Sequence, residues 1–153
     1  MSKIEARLSE LGIELPQPVA PIANYVPFVR SGQVIHISGQ VSLDASGGIK
    51  GIVGDGVDLE TAKAAARLCG INLIAQIKLA CGGDLERMVR VVKLGGFVQA
   101  GPDFFDIPEV INGASDLMVE VFGDAGRHAR SAVGVYRLPR NFAVEVDAVV
   151  EVS

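Results

Sequence analysis

Hydrophobic and polar positions recur with two different periods along this chain, and the switches between them mark its elements. In "FVRSGQVIHISGQV", Ile35 and Ile37 alternate with Val34, His36 and Ser38. A period of two marks a half-buried strand, and Ser31–Gly32 supplies the turn that divides the stretch into two strands. From Leu59 the period changes. Leu59, Ala62, Ala66, Cys69, Leu73, Ile77 and Ala80 recur at three and four residues, which predicts a long helix buried on one face. Asp58 suits its N-cap, Glu60 lies in its first turn, and "ACGG" offers a glycine C-cap. "RMVRVVKLGGFVQA" returns to strand. A second helix is expected from "DIPE" to Gly123, with Asp106 capping, Glu109 three residues later as in a capping box, and Pro108 in the first turn. "SAVGVYRL" and "AVEVDAVVEV" read as two final strands joined by "PRNF".

Residues 3–10 suggest a short helix with Ile4 and Leu8 on one face, ended by Gly12. "ELPQPVAPIANYVP" then holds four prolines and is expected to run extended over the surface. The core order is therefore β-β-α-β-α-β-β, with neither an internal repeat nor a domain break. In the last strand Val144, Val146, Ala148, Val150 and Val152 line one face, while Glu145, Asp147 and Glu151 line the other. This predicts an α+β fold whose two helices cover one face of the sheet. The second face is either wet or packed against another subunit.

Composition sharpens that choice. At 153 residues the chain fits one domain, yet 49% of it is hydrophobic and its mean hydropathy is +0.37, more than one small core requires. A subunit interface is the natural destination for the surplus. The net charge is -4 and the basic residues are scattered, so neither a nucleic-acid surface nor a membrane partner is expected. The longest apolar stretch is broken by Asn72, Gln76 and Lys78, and the amphipathic, acid-containing N-terminus does not read as a signal peptide. These features predict a cytoplasmic protein. Cys69 and Cys81 are twelve residues apart on one expected helix, ~18 Å at ~1.5 Å per residue. They are read as two buried thiols, and no metal site is expected, since neither a CxxC nor a histidine at ligand spacing is present.

Few residues remain to carry chemistry. No phosphate loop, dinucleotide fingerprint, nucleophile elbow or zinc motif is present, and the glycines of "VGDGVD" read as a loop. His36 lies mid-strand and His128 precedes the last two strands. A two-histidine ribonuclease would need both imidazoles at one phosphate beside a cation, and the sequence gives no support for such convergence. Arg130 is different. It stands at a strand entrance beside Ser131, Ala132 and Gly134, where its planar fork would face open space fitted to a carboxylate. Glu145 lies on the next strand beyond a short connection, close enough across the final hairpin for a shared site or for a plain salt bridge.

The stretch "HARSAVGVYRLPRNFAVEVDAVVEV" resembles the C-terminal signature of the RidA/YjgF family of reactive intermediate deaminases, also known as endoribonuclease L-PSP proteins. "NYVPFVRSGQVIHISGQV" is similar to the family's tyrosine segment and following strand, and the two predicted helices resemble its helices. The resemblance covers 1–153 as a single domain, with residues 1–20 as a subgroup extension. It implies a chorismate-mutase-like fold, a homotrimer with ligand clefts between subunits, and no cofactor. By position, Arg130 matches the arginine that holds a substrate carboxylate, Tyr25 the cleft tyrosine and Glu145 the glutamate that positions water. Asn112 matches a cleft asparagine, and Ala132 replaces a cysteine whose main chain faces the ligand. Gly134 stands where many relatives carry an acid, which leaves the substrate open. The implied activity is hydrolysis of a 2-aminoacrylate-type enamine, as its imine, to a 2-keto acid and ammonia. The alternatives are a trimeric binder of small carboxylates without chemistry and an endoribonuclease.

Overall fold

The computed structural model describes residues 2–18 and 23–153. Helix α1 (Lys3–Glu10) begins at Ser2, whose hydroxyl accepts from the Glu5 N–H. Strands β1 (Phe28–Ser31) and β2 (Val34–Val41) form the expected hairpin, with Gly32 at φ 64° in its turn. Two-residue strands β3 (Ile52–Val53) and β4 (Gly56–Val57) pair within the glycine-rich loop. Then follow α2 (Leu59–Ala80), β5 (Met88–Gln99), α3 (Ile107–Phe122), β6 (Ala129–Val135) and β7 (Val144–Val152). The proline-rich run has no regular structure at Pro16–Pro18, and its centre, residues 19–22, lies outside the described residues.

Strand β7 organises the sheet. Its apolar residues Val144, Val146, Ala148, Val150 and Val152 are buried while the residues between them are half-buried, as a period-two strand covered on one face requires. It pairs antiparallel with β2 on one side and β5 on the other. The full order is β1-β2-β7-β5-β6, with β5 and β6 parallel. Here the structure corrects the sequence reading. β6 and β7 are not a hairpin, because β5 lies between them; α3 is the crossover that the parallel β5–β6 pair demands.

Both long helices pack on the face carrying Leu94, Val98 and the apolar side of β7. Glycines set their closeness. A Cβ at Gly96 would meet Ile111 of α3 at 2.6 Å, and one at Gly113 would run into the Lys63 carbonyl of α2. Helix α2 is capped as expected: the Asp58 carboxylate accepts from the Thr61 N–H at 2.8 Å, and Gly82 (φ 67°) follows its C-terminus. Asp106 occupies the N-cap of α3, but its side chain makes no capping bond. The expected capping box is therefore absent, and Pro108 in the first turn sets the helix start. Cys69 and Cys81 are free and buried, and desolvation pushes the Cys69 thiol well above its ordinary range. Among the described residues, no helix is long and apolar enough to cross a membrane.

Candidate functional site

Arg130 enters β6 in register with Leu94, which is itself paired with the buried Ala148. Register therefore turns its side chain toward the helices. Its guanidinium does not point into open space, as the sequence suggested, but lies against α3. Nη1 donates to Asn112 Oδ1 at 2.9 Å and to Ser115 Oγ at 3.1 Å. Asn112 and Ser115 are three residues apart, so one face of α3 presents both acceptors. Behind them, His128 Nδ1 lies 2.6 Å from the Gly126 carbonyl, and its Nε2 lies 2.9 Å from Ser115 Oγ. A carbonyl can only accept, so Nδ1 carries a proton; in the neutral imidazole Nε2 then accepts from the Ser115 hydroxyl. The chain of donors then runs from Arg130 to Ser115 to His128 to Gly126. Among the described residues, Arg130 Nε and Nη2 make no hydrogen bond, which leaves that edge of the fork free for a carboxylate. Ala132 and Gly134 follow on the same face. Ala132 packs against the core, and a Cβ at Gly134 would meet Ile107 at 3.3 Å.

Glu145 occupies the opposite face. It is paired with Phe97 and Val41 and belongs to the half-buried set of β7. Its carboxylate lies over Gly39, where an added Cβ would come within 2.8 Å of Oε2. Burial raises its pKa above the ordinary 4.5, and the charge of Asp147 raises it further. Tyr25, 55% exposed, shares a cleft of about 260 Å³ with Glu145, Gly39, Gln40, Gln76 and Arg140. The cleft lies beside β2 where β1 has ended, and Pro16–Pro18 form part of its rim. Thus Tyr25 and Glu145 come together, as do Arg130 and Asn112, but the two pairs lie apart. The expected approach of Arg130 to Glu145 across a hairpin is not made, because β5 separates their strands and the side chains leave opposite faces.

Sequence reasoning missed Ser115, whose role depends on the register of α3 against β6. It also missed Gln99. That side chain is fully buried with every polar atom used: Oε1 accepts from the Leu138 N–H, and Nε2 donates to Gly51 O and Asn141 Oδ1. A glutamine among the hydrophobic positions at the end of β5 was the available signal. The two histidines do not converge. His36 is exposed on β2 and His128 is committed to Ser115 and Gly126. Among the described residues, no group of three His, Cys, Asp or Glu is placed to hold a metal ion.

Residues 5–151 match the protein family described as "YjgF/chorismate mutase-like, putative endoribonuclease". Protein TCP17 of Trypanosoma cruzi is 47% identical over 99% of this chain and 95% of its own length. A 2-iminobutanoate/2-iminopropanoate deaminase of Dermatophagoides farinae is 30% identical over 90% of this chain and 91% of its own. The crystal structure of protein Atu1372 of Agrobacterium tumefaciens superposes with a TM-score of 0.92 and 48% identity, covering 98% of this chain and 92% of that one. Sheet order, paired helices and full-length relatives agree, and the chain belongs to the RidA/YjgF, chorismate-mutase-like family.

Proposed function

We propose that this protein hydrolyses 2-aminoacrylate-type imines to 2-keto acids and ammonia in clefts formed between copies of a homotrimer. The observation that carries the reading is Arg130, anchored through Nη1 on Asn112 and Ser115 while its Nε–Nη2 edge stays free. A guanidinium held in this way is a preformed fork for a planar carboxylate. The deaminase relative adds support at the level of the family.

Arg130 and Glu145 leave opposite faces of one sheet, so one small molecule reaches both only if a second copy brings its Glu145 to this copy's Arg130. Val29 and Val133, 54% and 46% exposed, supply apolar surface for such packing. In the cleft Arg130 holds the substrate carboxylate, Asn112 and the Ala132 main chain border it, and Tyr25 of the neighbouring copy closes over it. Glu145 orients a water that attacks the imine carbon and takes up its proton. Glu145 returns that proton to the nitrogen, giving a carbinolamine. Transfer of the hydroxyl proton to nitrogen by the same carboxylate then breaks the C–N bond, expels ammonia and leaves the keto acid. Gly134 keeps the side of the cleft next to Ile107 open. Such imines already hydrolyse in water, so positioning and charge stabilisation are sufficient. Two free, buried cysteines fit a reducing cytoplasm.

The test generates the imine from serine or threonine with a PLP-dependent dehydratase and follows keto-acid release with and without the protein. Acceleration that Arg130→Ala removes is the expected result. No acceleration by the wild type, with calorimetric binding of 2-ketobutyrate retained, would identify a carboxylate binder instead.

A further inference from the structure

The Tyr25–Glu145 cleft contains two polar groups that the reaction above does not use. Gln76, on α2, is 1% exposed, and its Oε1 has no hydrogen-bond partner among the described residues. A buried carbonyl oxygen without a donor is costly, and such groups call for an explanation. Arg140 lines the same cleft. Among the described residues its guanidinium has neither a hydrogen bond nor an ion pair.

The backbone that presents Arg140 is unusual. Arg140 and Asn141 both have positive φ, 54° and 64°, a left-handed conformation that costs energy in any residue but glycine. Buried Gln99 holds the turn in place from within, bonding Leu138 and Asn141 on either side of Arg140, and the Gly51 N–H donates to the Asn141 carbonyl at 2.8 Å. A turn fixed this firmly holds the exposed Arg140 at the rim of the cleft.

We infer that Gln76 and Arg140 form a side-chain pocket that selects 2-imino acids ending in a primary carboxamide. The inference rests on the imine-hydrolase reading. A carboxamide carries both groups the pocket lacks: its N–H₂ donates to Gln76 Oε1 and its carbonyl accepts from Arg140. A second carboxylate satisfies Arg140 but offers Gln76 Oε1 no donor, and it would lie in one cleft with the anionic Glu145. An aliphatic tail leaves both groups unpaired. Size agrees as well. About 260 Å³ is the volume of roughly nine waters at ~30 Å³ each. A three-carbon imine whose carboxylate sits on the neighbouring copy's Arg130 leaves most of that space unfilled.

The experiment has two arms on the full-length protein. Calorimetry measures binding of three 2-keto acids: one with a terminal carboxamide, its dicarboxylate counterpart and 2-ketobutyrate. Imines of the parent amino acids, made in place by an amino-acid oxidase with catalase, are then followed for hydrolysis. A preference of about tenfold or more in kcat/KM for the carboxamide over 2-ketobutyrate is expected, the scale of one hydrogen bond to a charged group. Arg140→Asn, a residue that tolerates the left-handed backbone, and Gln76→Leu, which keeps the volume, should each bring that ratio toward one. Equal handling of all three acids by the wild type, or a preference unchanged in both variants, would overturn the pocket and leave the hydrolase standing. A dicarboxylate preference would likewise overturn it. No turnover of any imine would remove the hydrolase reading, and this inference with it.

Discussion

The molecule has two polar regions on opposite faces of one sheet, and they are built on opposite principles. Around Arg130 the acceptors behind the guanidinium are engaged, from Asn112 Oδ1 and Ser115 Oγ through His128 to the Gly126 carbonyl. Around Tyr25 the groups are left wanting: Glu145 is pushed toward its neutral form, Gln76 Oε1 lacks a donor and Tyr25 is exposed. The first region is an anchor, rigid because its network is satisfied. The second is a receiver whose unsatisfied groups gain from a ligand. In the proposed reaction neither is complete alone.

The strongest way to break this comparison is to separate the halves genetically. Arg130→Ala should lower kcat/KM by about 10²–10³-fold, the loss of a charge-assisted anchor in a water-poor cleft. Glu145→Gln should produce a loss of comparable scale through the water it no longer orients. If the halves meet only between copies, co-expressing the two inactive chains should restore activity. At random assembly about one site in four combines an intact Arg130 half with an intact Glu145 half. Recovery near that fraction, read against each variant alone, supports the shared cleft. Activity that stays at the level of the separate variants would mean that both residues act from one chain.

The raised pKa of Glu145 sharpens the contrast through pH. Its causes are burial first and the Asp147 charge second, and both disfavour the ionised form. The base is therefore lost as pH falls through a midpoint above the usual 4.5, and the acid limb of kcat should lie there and vanish in Glu145→Gln. The sign for stability is opposite. A carboxyl whose folded pKa exceeds its unfolded one binds extra protons in the native state, so stability falls as pH rises above 4.5. Glu145→Gln should accordingly melt higher than wild type at neutral pH, with the gap closing in acid. A variant that melts lower at pH 7 would contradict this.

How much of this was legible depends on how local each feature is. The faces of β7 could be read directly, because nine residues of strict alternation admit one register. Helix α2 declared itself by its periodicity and by Asp58. Strand order could not be read. Nothing in residues 129–152 records that β5 inserts between β6 and β7, since that follows from the crossover of α3. The same fact decides the site. Arg130 and Glu145 are near in sequence and on neighbouring strands by number, so they looked like partners; the inserted strand and the parity of their positions set them on opposite faces. Ser115 carried no local signal at all, being one small residue on an amphipathic helix until β6 lies alongside it.

That residue offers the finest test of the anchor. Ser115 supplies one of the two acceptors on Arg130 Nη1 and links it to His128. It touches no reacting atom in the mechanism, so its part is to position. Ser115→Ala removes one neutral acceptor, of the order of 1 kcal/mol, and leaves Asn112 in place. KM should rise several-fold while kcat holds, because the carboxylate is bound less firmly but the attacking water is untouched. His128→Ala should follow in the same direction with a smaller effect, since it frees the Ser115 hydroxyl without removing the oxygen that accepts from Arg130. A fall in kcat at constant KM would move Ser115 from the anchor to the chemistry. An unchanged KM in both variants would leave Asn112 as the sole anchor, and the difference between the two regions would narrow to one hydrogen bond.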